Sequence, residues 1–178
     1  MATSIAHACR YDPAMAGTES AFHLAGHAVA TSFSRYHVLA APLKADSYGT
    51  GEITAALSRR KLRASQKVAE ASARTDPEVA GGIALILCAG LASEQLAAAQ
   101  GFDVSVEPAR SAGDFEVARD ELRLAGLSDD ITPYVAAAEK LLGQRWAYVE
   151  SVAKRLMLVS ELHHSEVDTI IKETEMGI

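Results

Sequence analysis

Asp76-Pro77 opens and Gly101 closes a long alanine-rich stretch, and no other feature limits the fold of this chain so strongly. Alanine loses little entropy in a helix. Proline is tolerated at the first helical turn, and glycine is favoured just past the last one. The stretch therefore predicts a helix from Pro77 to about Gln100. The same bias runs through the whole chain. Of its 178 residues 49% are hydrophobic but only 6% aromatic, and alanine supplies much of the apolar count. Small side chains suit closely packed helices better than a sandwich of β-branched strands. The length suits one domain with a substantial core.

The remaining segments fit around that helix. Residues 1 to 17 carry no periodicity, contain Pro13 and Gly17, and are expected to form a loose leader before a domain of residues 18 to 178. Phe22, Ala25, Val29 and Phe33 recur at helical spacing, which predicts a helix from an N-cap at Thr18 to about Tyr36. Two short extended segments, about His37 to Leu43 and Tyr48 to Ala55, are expected to make a small hairpin or sheet. Ser58 to Arg74 is expected to be helical and largely exposed. After a loop over 101 to 112, a helix is expected from Gly113 or Asp114 to about Ala125. Pro133 is expected to begin the longest helix, running to about Leu162, and Ser165 to cap a short final one. The fold class is mainly α, with a minor sheet after the first helix.

Net charge is −6, so no basic field draws nucleic acid or an acidic membrane surface. The richest apolar run, Ile83 to Ala92, is about half the roughly 18 residues that a membrane span needs. No cationic segment followed by an apolar one marks a signal peptide. Cys9 and Cys88 are too few for a disulfide framework, and Cys88 is expected to be a small core residue. The expected setting is cytoplasmic.

Phe22-His23-Leu24-Ala25-Gly26-His27-Ala28 sets two histidines four residues apart. On a helix that spacing stacks them on one face, where both imidazoles can reach a single ion. Catalytic zinc needs three protein ligands and an open position. Two histidines alone leave two readings open: a metal-binding pair, or a hydrogen-bonded pair in the core.

The segment AFHLAGHAVA resembles the AYHEAGHAVV segment of the FtsH family of zinc metalloproteases, with Leu24 where that family has the glutamate of HExxH. Downstream, AGLASEQLA is similar to the family's GGRAAEEL helix, and SAGDFEVARDEL to its GASNDLEKATEIA segment. AAEKLLGQRWAYVESVAKRLMLVSEL and HHSEVDTII follow its last long and closing short helices. Order and spacing agree over roughly residues 15 to 175. The resemblance implies a helical zinc-peptidase domain of FtsH type and Zn²⁺ held by His23, His27 and Asp114. Asp114 opening a helix would otherwise be read as an N-cap. Glu94 would orient a histidine from behind the metal, or be an exposed helix carboxylate. The strand YGTGEIT, with Gly49, Gly51 and Glu52, would line the groove for a peptide or unfolded protein segment, although turn formation is the simpler reading of both glycines. Related domains form six-fold rings, which makes a homo-oligomer an expectation. No ATPase loop of GxxxxGK[ST] type appears.

The HExxH glutamate moves the proton of the zinc-bound water, and Leu24 cannot. Losing that transfer is worth about 10²–10⁴ in rate, so hydrolysis is expected to be weak or absent and peptide or protein binding to remain. The alternative is an active hydrolase with another base, for which Glu19, Ser20, Glu52 and Glu94 are the nearby candidates, or an enzyme whose base has been replaced by mutation.

Overall fold

In the computed structural model, which describes residues 17–45 and 51–177, the chain is mainly helical with a small strand portion. Nearly all of the leader, and Gly49, lie outside the described residues. Helix α1 (Thr18–Ser32) and helix α3 (Pro77–Ala99) form the centre, crossing where Gly26 faces Ala89 and Ser93. A methyl on Gly26 would collide with the Ala89 carbonyl oxygen, so the absence of a side chain sets how closely the two helices approach. The Ser93 hydroxyl donates to the Phe22 carbonyl at 2.6 Å across the same crossing.

Helix α3 begins as its sequence demands. Pro77 sits in the first turn, the Asp76 carboxylate accepts from the Glu78 and Val79 N–H groups, and Gly101 lies just past the end at φ 87°. Its 23 residues are long and apolar enough to cross a membrane by composition, beyond the shorter apolar run that the sequence suggests. Two thirds of its most apolar window is buried inside the protein, as in a core helix. Cys88 lies fully buried there, and burial pushes its thiol up to about 12.

Helix α1 stops at Ser32, four residues short of the expected end, and Gly17 rather than Thr18 precedes its first turn. The Ser34 hydroxyl accepts from the Tyr36 and His37 N–H groups, offering the backbone a turn in place of another helical bond. Lys61 then ties the helix end to the strand after it, its ammonium donating to the carbonyls of Thr31 at 3.4 Å and Ser32 at 3.5 Å and, more closely, to those of Ser34 at 2.8 Å and His37 at 2.7 Å. Lys61 comes from α2 (Arg59–Ala64), a far shorter helix than expected from Ser58 to Arg74. Gln66 at φ 58° and a 3₁₀ turn over Ala71–Thr75 replace the rest.

The sheet is two small sheets. Strand β1 (His37–Leu39) pairs antiparallel with β4 (Ala55–Leu57). Strand β2 (Leu43–Ala45) lies between β3 (Gly51–Glu52) and β5 (Glu161–Leu162). Strand β5 occupies the expected end of the longest helix. That helix is in fact two, α5 (Thr132–Gly143) and α6 (Trp146–Val159). At the break the Arg145 guanidinium sits 4.5 Å over the Phe33 ring, and Trp146 stacks 5.7 Å from Phe22. The bend sends α5 along α3 and α6 along α1, which one straight helix could not do. Helix α4 (Ala112–Leu124) and α7 (His164–Met176) complete the domain. His163, not Ser165, caps α7, with its N–H donating to Glu166 at 2.8 Å.

His37 on β1 is buried beside the face of Gly82 and accepts or donates one hydrogen bond at Nδ1, with Ser34. Burial, and then the Lys61 charge, pull its pKa down to about 4. The unfolded chain takes up this proton near pH 6.5, whereas the folded chain does not until about pH 4, so folding weakens as pH falls through that window. Between pH 7 and pH 5 the loss is about 2 kcal/mol from this group. Asparagine reproduces the Nδ1 position and does not titrate. Urea unfolding of metal-free protein should therefore show His37→Asn losing about 2 kcal/mol less than the parent over that interval; equal losses would mean His37 is not held neutral.

Candidate metal centre

His23 and His27 lie one turn apart on α1, both buried, and face the third residue of α4, Asp114. Asp114 is not the N-cap of that helix, a place held by Ser111. The 3₁₀ turn over Pro108–Ser111 brings α4 in so that its first turn points at the histidines. His27 Nε2 is 3.0 Å from His23 Nε2, and Asp114 Oδ2 is 3.2 Å and 3.3 Å from the His23 and His27 nitrogens.

The other ring nitrogens fix which atoms carry protons. His27 Nδ1 lies 2.6 Å from the Ile86 carbonyl oxygen, which can only accept, so Nδ1 carries the hydrogen. His23 Nδ1 lies 2.8 Å from Glu94 Oε1 and donates to that carboxylate. Both Nε2 lone pairs are thereby turned toward each other and toward a carboxylate oxygen. Three electron-rich atoms at such distances repel unless a cation sits among them. A tetrahedral ion with bonds of about 2.0–2.1 Å spaces its ligand atoms by roughly 3.3 Å, close to the separations seen. The donor set therefore fits a divalent metal.

Without a metal, a proton does part of this work. Burial disfavours the charged form of His23, but hydrogen bonds to Asp114 and Glu94, and their charges, outweigh it and raise the pKa to about 9. Burial acts on Asp114 in the opposite sense and is likewise overcome, its two histidine contacts holding the carboxyl well below the usual carboxylate range.

Gly90 completes the wall. It lies on α3 directly against both imidazoles, and a Cβ there would fall 2.6 Å from each Nε2. Neither Gly90 nor the Ile86 carbonyl can be inferred from the histidine spacing, although a glycine inside an alanine-rich helix is a signal that something packs closely. Leu24 has no exposed surface and belongs to the main core cluster.

The other expected residues fall in different places. Glu94 is fully buried behind His23, on the Nδ1 side. It therefore cannot face an open position beside the Nε2 atoms. Ser20 is buried, and Glu19 lies within 3.5 Å of the Ser105 N–H. Gly51 and Glu52 form β3, paired with Ala45 and Lys44 of β2, and Gly49 is outside the described residues. Strand β4 lies beside a cavity of about 480 Å³, lined by Ala55, Ala56, Leu57, His37, Val79 and Ile83 among others. Arg74 and Glu121, paired by a salt bridge, also line it. Ile83 is about one helical turn along α3 from Ile86, the residue that orients His27. Among the described residues β4 has a strand partner on one edge only.

Scanned against known protein families, the chain matches none of their sequence profiles, and a search of curated proteins likewise returns no match.

Proposed function

We propose that this protein is a zinc-binding, FtsH-type peptidase-like domain that binds an extended peptide or unfolded segment and hydrolyses it weakly or not at all. The observation that carries the metal reading is the convergence of His23 Nε2, His27 Nε2 and Asp114 Oδ2, with the Nδ1 hydrogens turned outward. Two imidazoles and one carboxylate are a donor set that zinc accepts. Bound zinc would polarise a carbonyl and acidify a water. The chain's own residues govern whether that chemistry reaches turnover. His23 and His27 hold their tautomers through Glu94 and Ile86, and Asp114 supplies the one negative charge of the set. Leu24 offers no group to accept a proton, and Glu94 is committed behind His23. Both facts favour binding over turnover. The half-paired strand β4 beside a mainly apolar cavity suits an extended peptide that adds to the strand and places a side chain in the cavity.

Purified protein stripped of metal and titrated with zinc is expected to bind one ion per chain. His27→Ala or Asp114→Ala should weaken binding by more than about 100-fold, since two remaining ligands seldom hold zinc tightly. Elemental analysis after dialysis provides the readout. A His23→Ala/His27→Ala protein that keeps a full equivalent of zinc would refute the assignment.

A further inference from the structure

The geometry points to Arg110 as a positioning residue for the metal centre: it holds the Glu94 carboxylate, which in turn holds His23. The inference deepens the metal reading and rests on it. Glu94 is fully buried, and among the described residues only one of its oxygens has a hydrogen-bond partner, the His23 Nδ1–H at 2.8 Å. The other, Oε2, has no hydrogen-bond partner among the described residues. A buried carboxylate oxygen left so is costly unless a charge compensates it. The charge facing it is Arg110, whose Nη1 is 4.0 Å away, also buried and also without a hydrogen bond among the described residues. Arg110 is anchored on its outer side, where Nε faces Glu107 at 3.5 Å.

The place of Arg110 in the chain gives this pair its consequence. It lies on the 3₁₀ turn over Pro108–Ser111, four residues before Asp114, so the segment that delivers the third ligand also carries the charge that steadies the first. With Arg110 in place, the carboxylate is held between a guanidinium and an imidazole, and His23 keeps its hydrogen on Nδ1 and its lone pair on Nε2. Without it, Glu94 is free to turn its bonded oxygen away, and His23 loses the restraint on both tautomer and ring orientation. Arginine suits the role because its charge is permanent and its planar head carries several donors.

The test compares the parent, Arg110→Met and Arg110→Lys, each metal-stripped and then titrated with zinc against a competing chelator and with cobalt, whose visible spectrum reports ligand geometry. Methionine keeps much of the stem and removes the charge. Arg110→Met is expected to weaken zinc binding about 10–100-fold and to alter the cobalt spectrum. Removing the charge that compensates a buried carboxylate should also lower the urea midpoint of the metal-free form, so both ions are titrated where circular dichroism shows the variant folded. Arg110→Lys should recover most of the affinity and the parent's spectrum. If Arg110→Met binds zinc as the parent does with an unchanged cobalt spectrum, the positioning role is overturned while the metal site stands. It is overturned equally if the loss of affinity merely tracks a loss of fold that lysine does not rescue. A parent protein that takes up neither ion overturns the metal reading itself, and this role with it.

Discussion

Gly90→Ala is expected to abolish tight zinc binding while leaving a folded protein. The added methyl would lie 2.6 Å from both His23 Nε2 and His27 Nε2, about 1 Å inside ordinary contact distance for a carbon. Something must give, and the surroundings say what. Helix α3 cannot draw back easily, because Gly26 already seats α1 against Ala89 and Ser93 in the same crossing. The rings must therefore swing, which breaks the 3.0–3.3 Å triangle of ligand atoms and the Nδ1 contacts to Glu94 and Ile86. The loss in affinity should exceed the 10–100-fold that disturbing an outer partner costs. Overpacking costs about 1–3 kcal/mol, and alanine returns up to about 1 kcal/mol through its helix propensity, so the fold should survive. Gly113→Ala is the control. It precedes Asp114 on α4, has open space around its Cβ position, and should bind zinc like the parent. Chelator competition and urea unfolding on both variants separate the two effects. If Gly90→Ala bound zinc normally, the imidazoles could not be packed against α3 in this way.

Much of this site can be read in the sequence, and the parts that cannot have physical reasons. The histidine pair is legible because two residues four apart on one helix must share a face, whatever surrounds them. The start of α3 is equally local, since Asp76, Pro77 and the N–H groups that Asp76 serves are neighbours in the chain. Asp114 is different. Its position near a helix start is local information, but an N-cap and a ligand look alike in sequence. Only the turn over Pro108–Ser111, which makes Ser111 the N-cap, sets the first reading aside and brings Asp114 to the histidines. Gly90 and Arg110 act wholly through packing across elements, against residues 67 and 16 positions away in the chain, and no spacing rule reaches them. The break between α5 and α6 is hidden for the same reason. Periodicity runs straight through Gly143 to Trp146, and the bend is settled by stacking of Trp146 on Phe22 and of Arg145 on Phe33. In the small sheets, β2 finds β5 more than a hundred residues later, a pairing that residues 37 to 55 alone do not encode.

Leu24→Glu is expected to have the most diagnostic effect of any single change, because its outcome should depend on metal. At about 100° per residue, position 24 lies roughly 80° around α1 from the midline between His23 and His27, beside the ligand pair. Leucine there is wholly buried in the main core. Replacing it removes about 1.5–3 kcal/mol of apolar burial and puts a carboxylate where water does not reach. Metal-free Leu24→Glu should therefore unfold at a clearly lower urea concentration than the parent. Zinc supplies the missing counter-charge, so saturating zinc should recover more stability in the variant than in the parent, beyond the gain that any ligand of the folded state provides. The same carboxylate could take a proton from a zinc-bound water, a task for which Glu94, held behind His23, is not placed. Hydrolysis of an unstructured casein-like substrate should accordingly rise at least about tenfold over the parent, and fall back with Asp114→Ala or a chelator. Two results would count against this role, and they differ in meaning. Equal destabilisation with and without zinc would place residue 24 in the core, out of reach of the metal. Efficient cleavage by the parent itself would show that another base serves the site, and the binding role proposed for the half-paired β4 strand would give way to catalysis.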